Sequence, residues 1–292
     1  MEAIDDVMAE RRRLIALAYR MLGTLEEAED AVQETYLRWY RLPEENRTAV
    51  GSPQGWLTRV ASRICLDILK SARARREHYV GEWLPEPVPA GLLSDDPTSD
   101  PADRVTLDDT VSTALMVVLE AMTPAERVAF VLHDVFRLPF PEIAGVVGRS
   151  PAAVRQLATS ARRRVADHRG VVAAPAEHDA VVRAFVAAAS GDDLGTLTGL
   201  LDPSVTLRSD GGGVVSAARN PVVGPTRVGR FLLGVLTLRP TWLVAERATA
   251  DGLGFTMTEG EEVRAVVNLR VAGGRVTDLW MVVNPEKLTG WR

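Results

Sequence analysis

The 292-residue sequence contains one cysteine, Cys65, few aromatic residues, no net positive charge and no long apolar run. A single cysteine excludes an intramolecular disulfide framework and any multi-cysteine metal site. No apolar stretch reaches the roughly 18 residues needed to span a bilayer. The opening MEAIDDVMAE is acidic and lacks the basic-then-apolar pattern of a secretory signal. A soluble, cytoplasmic protein with no membrane contact is therefore expected. Only 6 Trp, 6 Phe and 4 Tyr are available to fill its cores. Hydrophobic residues at 46% and charged residues at 25% nevertheless describe an ordinary globular chain. The length suggests two domains, or three small ones.

The net charge of -5 hides a sharp segregation. Residues 1–80 balance 13 basic against 13 acidic side chains, whereas residues 81–115 hold eight acids and one base, Arg104. Residues 116–170 reverse the sign, with eight arginines against five acids, and residues 171–292 return close to balance, with 12 against 13. Basic clusters at Arg63–Arg76 and Arg155–Arg164 thus flank an acidic segment. Blocks of one sign speak of interaction more than of fold.

The pattern predicts two helices around Gly23, the second starting at Leu25 behind a Thr24–Glu27 capping box. On it Ala28, Val32, Tyr36 and Trp39 form a core stripe, and a second surface carries Asp30, Gln33, Glu34 and Leu37. Residues 42–55 read as a loop and about 54–79 as a long helix turning basic. The five prolines and acidic excess of 81–106 mark a linker, although WLPEP (83–87) is too apolar for a pure spacer. A helix is expected over about 107–122. Thr123-Pro124-Ala125-Glu126 then caps another, and a short helix ends at Gly148 before Ser150-Pro151 opens the next. From about 176, two helices, strands at 205–209 and 214–219, a helix at 228–238 and further strands describe a small α+β domain. Gly273-Gly274 marks a hairpin within it.

Residues 124–166 have the spacing of a helix-turn-helix. With Val154, Leu157, Ala161 and Val165 packed inward, Arg155, Gln156, Thr159, Arg162 and Arg163 point away. Arginine bridges guanine edges or phosphates and glutamine reads adenine, so this face suits a major groove. The helix start at Ser150 adds backbone N–H groups for a phosphate. The alternative is an ordinary amphipathic helix. Trp56, Arg59, Arg63, Lys70, Arg73 and Arg76 follow one another along the earlier basic helix. Cations with an aromatic near the start suit a partly single-stranded backbone, although a Trp such as Trp56 taken by itself is more often a core residue than a stacking platform.

Together these segments resemble a known family. RRRLIALAYRMLG, EEAEDAVQETYLRWY and GWLTRVASRICLDILKSARARRE look like region 2 of extracytoplasmic-function RNA polymerase sigma factors. TPAERVAFVLHDVFRLPFPEIAGVVGRSPAAVRQLATSARRRV resembles region 4 of the same family. The remainder resembles a SnoaL-like (NTF2-like) domain, which one subgroup carries fused, with WLPEP, DGGG (210–213) and NPEKL (284–288) as its marks. The resemblance implies two all-α domains followed by an α+β cone: region 2 at 1–80, the linker at 81–106, region 4 at 107–170 and the SnoaL-like domain at 176–292.

It further implies partners: core RNA polymerase through its β′ clamp and β flap, and promoter DNA. Asp30, Gln33, Glu34 and Leu37 fall on the clamp-binding surface, where an apolar centre ringed by charge is a normal interface. The loop 42–55 with Trp56, Arg59, Arg63 and Lys70 falls at the melted -10 element, where holding a flipped base offsets its unstacking. The 151–166 helix falls on the -35 duplex. The acidic linker would mimic RNA in the exit path.

A SnoaL-like fold also admits enzymes with a His or Asp base in an apolar cone. His178 is expected to be exposed, Asp278 faces either way, and no convincing dyad is visible, so no catalytic residue, cofactor or metal is expected. DGGG matches neither a phosphate loop nor a dinucleotide fingerprint. It reads as a hairpin turn or as a docking surface. In the docking reading Trp83, Leu84 and Pro85 insert against Asp210, Gly211, Gly212 and Gly213, with Asn284 and Pro285 as a clasp nearby. The function expected is promoter recognition by a non-enzymatic initiation subunit whose C-terminal domain modulates it, with room for a small ligand of unknown identity in the cone. The alternatives are a one-component helix-turn-helix regulator sensing a ligand and a SnoaL-type enzyme with a DNA-binding arm.

Overall fold

The computed structural model describes residues 7–76, 79–93, 112–168 and 173–291. The second half of the acidic linker and the start of the helix expected at 107 lie outside these residues. The chain divides into a helical unit, Met1–Glu77, Leu93–Val111 and Leu115–His168, and a second unit, His78–Leu92, Ser112–Ala114 and Arg169–Arg292.

In the helical unit α1 (Arg11–Leu22) stops at Gly23, whose φ of 86° lets its amide reach the Tyr19 carbonyl. The next helix, α2 (Leu25–Tyr40), buries the expected stripe of Ala28, Val32, Tyr36 and Trp39. In place of the expected capping box, the Thr24 hydroxyl donates to the Glu27 carboxylate and caps no backbone N–H. A short α3 (Glu44–Thr48) lies in the expected loop, and α4 (Pro53–Arg76) follows. After α5 (Thr113–Glu120) comes α6 (Pro124–Phe130), where the Thr123–Glu126 box is complete. A π-helical turn, Val131–Val135, ends α6 and presents Phe136 beneath the Arg13 and Arg20 guanidiniums, 5.6 and 5.7 Å from its ring centre. The last two helices are α7 (Phe140–Val147) and α8 (Pro151–His168). Arg127, 2% exposed, pairs with Glu120 and donates to the Arg20 carbonyl. It thereby joins the two halves of this unit through one buried cation. On α8 the buried residues are Val154, Ala158, Ala161 and Val165; Leu157, expected inward, is only half-buried because Ala158 takes the central position.

The second unit packs α9 (Pro175–Ser190), α10 (Leu194–Gly199) and α11 (Pro225–Leu238) on one face of a six-stranded sheet. Its strands are β1 (Leu201–Asp210), β2 (Val222–Val223), β3 (Leu243–Thr249), β4 (Gly252–Glu259), β5 (Glu262–Ala272) and β6 (Arg275–Val282). They lie in the order β2-β1-β6-β5-β4-β3, with β1 and β6 parallel and the other pairs antiparallel. Gly273 and Gly274, both at positive φ, turn the β5–β6 hairpin as expected. The strand expected at 214–219 is absent. The chain instead turns back after the glycines, with Val215 N–H on the Gly211 carbonyl and Ala218 N–H on the Ser209 hydroxyl.

Alternation along the strands sorts the sheet's two faces. Val205, Leu207, Phe255, Met257, Val267, Leu269, Leu279 and Met281 meet Phe185, Val182, Leu197, Val228 and Leu232 from the helices. The opposite face carries Asp210, Val282, Val266 and Thr256, which share one register row across β1, β6, β5 and β4. Val266, Thr256 and Val282 are buried nonetheless. The segment 79–92 explains this. Leu84 N–H bonds Asp210 in β1, whereas Val88 and Ala90 exchange backbone bonds with Ala250 and Ala248 beside the β3–β4 turn. Crossing from β1 to β3 spans four interstrand gaps, about 19 Å, which five extended residues match at about 17 Å. Leu84, Pro85, Glu86, Pro87 and Val88 are buried along the way.

Candidate nucleic-acid interface and linker clasp

Helical periodicity separates each expected surface from the core it backs onto. On α2, Asp30, Gln33 and Leu37 are exposed and Glu34 is partly so, with Leu37 retaining 43% of its surface. On α4, Arg59, Arg63 and Lys70 are exposed at helical spacing, and Lys70 pairs with Asp67 at 3.0 Å. Trp56 is half-buried, its ring edge-on to Trp39 with centroids 5.1 Å apart. One part of it is therefore fixed by the core while another stays accessible. The side chains of Arg73 and Arg76 lie outside the described residues.

On α8, Ser150, Arg155, Gln156, Thr159, Arg162 and Arg163 are all exposed. The Ser150 hydroxyl accepts from Ala153 N–H and so is already spent as a helix cap. Arg155 stands 5.3 Å from the Phe140 ring centre, and Arg162 is held by Asp134 at 2.6 Å. These contacts preset two long side chains that would otherwise lose rotamer freedom on binding. Behind the face, Glu126 ties α6 to α8 by accepting from Ser160 at 2.7 Å. Burial pushes its carboxyl up, but the Ser160 and Thr123 bonds outweigh that and hold it below the usual range.

The DGGG segment does more than turn the chain. The Asp210 side chain is fully buried. Its carboxylate accepts from the Tyr79 hydroxyl (2.6 Å), Leu84 N–H (2.9 Å), Gly212 N–H (3.0 Å) and Lys287 Nζ (2.7 Å). Lys287, itself 5% exposed, also donates to the Leu84 carbonyl at 2.5 Å. Burial, and then the bond to Asp210, drive the Tyr79 phenol strongly upward, so it stays a donor. A Cβ on Gly212 would stand 2.6 Å from the Asn284 side chain, and its φ of +67° already disfavours any other residue. A Cβ on Gly211 would strike the Val215 carbonyl, and one on Gly213 would press on Val80.

The expected apolar insertion is only half right. Leu84 is 1% exposed and Pro85 is buried, but Trp83 is half-buried and lies under the Lys287 ammonium, 4.0 Å from the ring centre. A cation–π contact takes the place of hydrophobic docking. Asn284 is buried and donates to the Tyr79 hydroxyl, whereas Pro285 is exposed because it opens a 3-10 turn. Tyr79 and Lys287 were not singled out by sequence. Lys287 lies inside NPEKL, but a lone lysine near a proline turn gives no sign of burial.

A second cluster escaped sequence reading altogether. Thr113, 6% exposed, donates its N–H to Asp251 Oδ1 at 2.6 Å and its hydroxyl to Oδ2 at 2.7 Å. Asn268 Nδ2 donates to Asp251 Oδ2 and to the Thr113 hydroxyl, each at 2.7 Å. His178 is 7% exposed, contrary to expectation, because its Nε2 lies 3.2 Å from the Leu269 carbonyl behind this turn. Enclosure of the carboxyl pushes Asp251 up to about 6, opposed by the Thr113 bonds and by His178. Asp179, beside His178, is the other acid nearby.

The sign of the resulting pH dependence follows. An acid raised from about 3.9 unfolded contributes stability that is complete below the lower value and is lost as pH rises through about 6. Asp251 should thus cost the fold up to about 3 kcal/mol between pH 4 and 7. In Asp251→Asn that slope should vanish from urea unfolding midpoints measured across the range. A slope equal to wild type would place the titration elsewhere.

The helices pack their apolar side chains against one face of the sheet, and a cavity lies at its rim. It measures about 290 Å³ and is lined by Trp242, Val283, Pro285, Leu288 and the charged Arg239, Glu259 and Arg264. Neither His178 nor Asp278 lines it; Asp278 pairs with Arg270 at 2.6 Å. Among the described residues no group of three His, Cys, Asp or Glu is placed to hold a metal ion, and no helix is long and apolar enough to cross a membrane.

Comparison with known proteins identifies the family. Residues 7–75 match Sigma-70 region 2 and residues 112–165 match Sigma-70, region 4. The chain belongs to the extracytoplasmic-function (ECF) family of RNA polymerase sigma factors: it is a transcription initiation factor, helical in its sigma regions and α+β beyond them. Among its relatives is the ECF RNA polymerase sigma factor SigJ of Mycobacterium tuberculosis, 39% identical over 299 residues, covering 98% of this chain and 93% of that one. The probable ECF RNA polymerase sigma factor SigI of the same organism is 40% identical over 284 residues, covering 96% and 92%. The crystal structure of SigJ superposes with a TM-score of 0.74 at 37% identity and covers 98% of both chains.

Proposed function

We propose that the three exposed helical faces divide the work of initiation. Asp30, Gln33, Glu34 and Leu37 meet the β′ clamp of core polymerase. Trp56 with Arg59, Arg63 and Lys70 holds the opened -10 strand, and α8 reads the -35 duplex while region 4 meets the β flap. The observation that carries this reading is Leu37, a large apolar residue left 43% exposed among polar neighbours on the helix that the region 2 match contains. An exposed leucine with no structural task is what an interface centre needs. Leu37→Asp should weaken binding to core polymerase by about 30-fold or more, the effect of losing a hot spot. Titration of labelled core enzyme with the full chain measures it. Unchanged affinity would remove α2 from the interface.

The segment 79–92, with Asp210, Gly211, Gly212, Gly213, Asn284 and Lys287, forms the proposed point of control. Whatever loosens it changes how freely the two sigma regions are tethered. The C-terminal unit acts here as a non-catalytic regulator, a reading supported by its apolar-filled interior and by the placement of His178 and Asp278 away from the rim cavity. For a small ligand, that rim cavity is the proposed seat. Work on polymerase and promoter DNA places the protein in the cytoplasm.

A further inference from the structure

We propose that the rim cavity binds a small aromatic carboxylate and that the occupied cavity tightens the clasp on Asp210. The inference rests on the reading of that cavity as a ligand seat, and adds the ligand's chemistry and its route of action. The turn after β6 is divided between the two. Pro285–Lys287 is a 3-10 turn, in which residues three apart share a side. Asn284 and Lys287 take one side, where they bond Tyr79 and Asp210. Pro285 and Leu288 take another, where they line the cavity with Val283 and Val215. The backbone closes the connection: Val283 N–H donates to the Asp210 carbonyl at 2.8 Å and Val215 N–H to the Gly211 carbonyl at 2.9 Å. A ligand packed on this wall therefore presses on the same few residues that hold the Asp210 carboxylate.

The opposite wall sets the ligand's charge. Arg264 is already committed, with Nε and Nη2 3.1 and 3.0 Å from one Glu259 oxygen and Nη1 2.9 Å from Glu262. The other Glu259 oxygen accepts from Thr241 at 2.8 Å. A cationic ligand would have to compete with Arg264 for those acids. Arg239 makes no ion pair among the described residues and acts on Glu259 only through its field. Its guanidinium stands 5.8 Å from the Trp242 ring centre and spends one bond, at 3.3 Å, on the Leu238 carbonyl. Most of a planar fork is left, which a carboxylate matches with two parallel bonds. Trp242 beside it, and the apolar wall of Val215, Val283 and Leu288, receive a flat ring. A volume of about 290 Å³ lies at the lower end of ligand pockets and suits one or two rings.

Cinnamate and its uncharged analogue cinnamamide test the ligand class on the full, isotope-labelled chain. The indole N–H signal of Trp242, assigned by its loss in Trp242→Leu, should shift with cinnamate at a Kd of about 1–5 mM, as expected for a ligand of this size. Cinnamamide should bind about tenfold more weakly, since it lacks the charge-assisted pair. Arg239→Gln should abolish that preference. A ligand that binds only the closed clasp shifts its opening by one plus the ratio of ligand concentration to Kd. At three times the Kd, hydrogen exchange of the Leu84 and Gly212 amides, both held by Asp210, should slow about fourfold. Equal binding of the two compounds by wild type, or a preference retained in Arg239→Gln, overturns the carboxylate assignment. Unchanged exchange at Leu84 and Gly212 while the indole signal shifts overturns the link to the clasp. If neither compound moves the Trp242 signal at about 20 mM, the cavity is no ligand seat and the inference falls with that reading. Binding to core polymerase, measured separately, leaves the sigma-factor reading untouched by either result.

Discussion

Lys287→Met should destabilise the C-terminal unit by about 3–5 kcal/mol, the cost of leaving a buried carboxylate without its partner. Asp210 is fully enclosed, and among the described residues Lys287 is the cation paired with it. Methionine keeps the unbranched stem, so the loss isolates the charge and its bond to the Leu84 carbonyl. The double variant Asp210→Asn with Lys287→Met should recover most of the loss, since replacing both charges removes the stranded ion. Calorimetric unfolding of the full chain, with hydrogen exchange on the sheet amides to assign the transition, measures each corner of the cycle. Additive losses would mean that the pair is not coupled and that the clasp is held by packing alone. Loss of the clasp should also free residues 79–92, so promoter output should change in the single variant.

Promoter specificity should fail in a different manner for each class of side chain on α8. Gln156→Ala and Arg155→Ala should each cost about 1–3 kcal/mol against the preferred -35 sequence and relax discrimination at one position, as loss of a bidentate base contact does. Arg163→Ala should weaken all sequences alike and reduce the salt dependence of holoenzyme binding by about one counterion. Arg155 carries an added term, since Phe140 presets its guanidinium. Phe140→Leu should therefore reproduce part of the Arg155 defect without touching DNA. Run-off transcription on a panel of single-base -35 variants at two salt concentrations separates these outcomes. A uniform loss in Gln156→Ala would place this residue on phosphate.

The helical faces were legible because burial on a helix is a matter of spacing. Ala28, Val32, Tyr36 and Trp39 had to turn one way, which left Leu37 turned the other. The same logic set Arg155 and Gln156 outward against Val154, Ala161 and Val165. Where spacing carries less information, the reading failed. Val214–Arg219 begins with β-branched residues like a strand, yet three glycines just before it allow a turn that composition does not reveal. Ala250-Asp251-Gly252 has the composition of an ordinary hairpin turn, and nothing local distinguishes an acid that faces water from one that caps a distant helix. His178 looked exposed because it opens an amphipathic helix, but tertiary packing of the β5 backbone against it decided otherwise. Long-range partners are the part of a fold that a single sequence conceals most.

The clasp has an order of assembly written into it. The last helix of the DNA-reading region ends at His168, and Lys287 follows 119 residues later. At about 5–20 residues per second of synthesis, roughly 6–24 s separate the two events. On the proposed reading, the ribosome displays a finished α8 during that interval while the clasp that governs it is still unmade. Each newborn copy therefore passes through an ungoverned moment, and its length depends on how fast codons 169–287 are read.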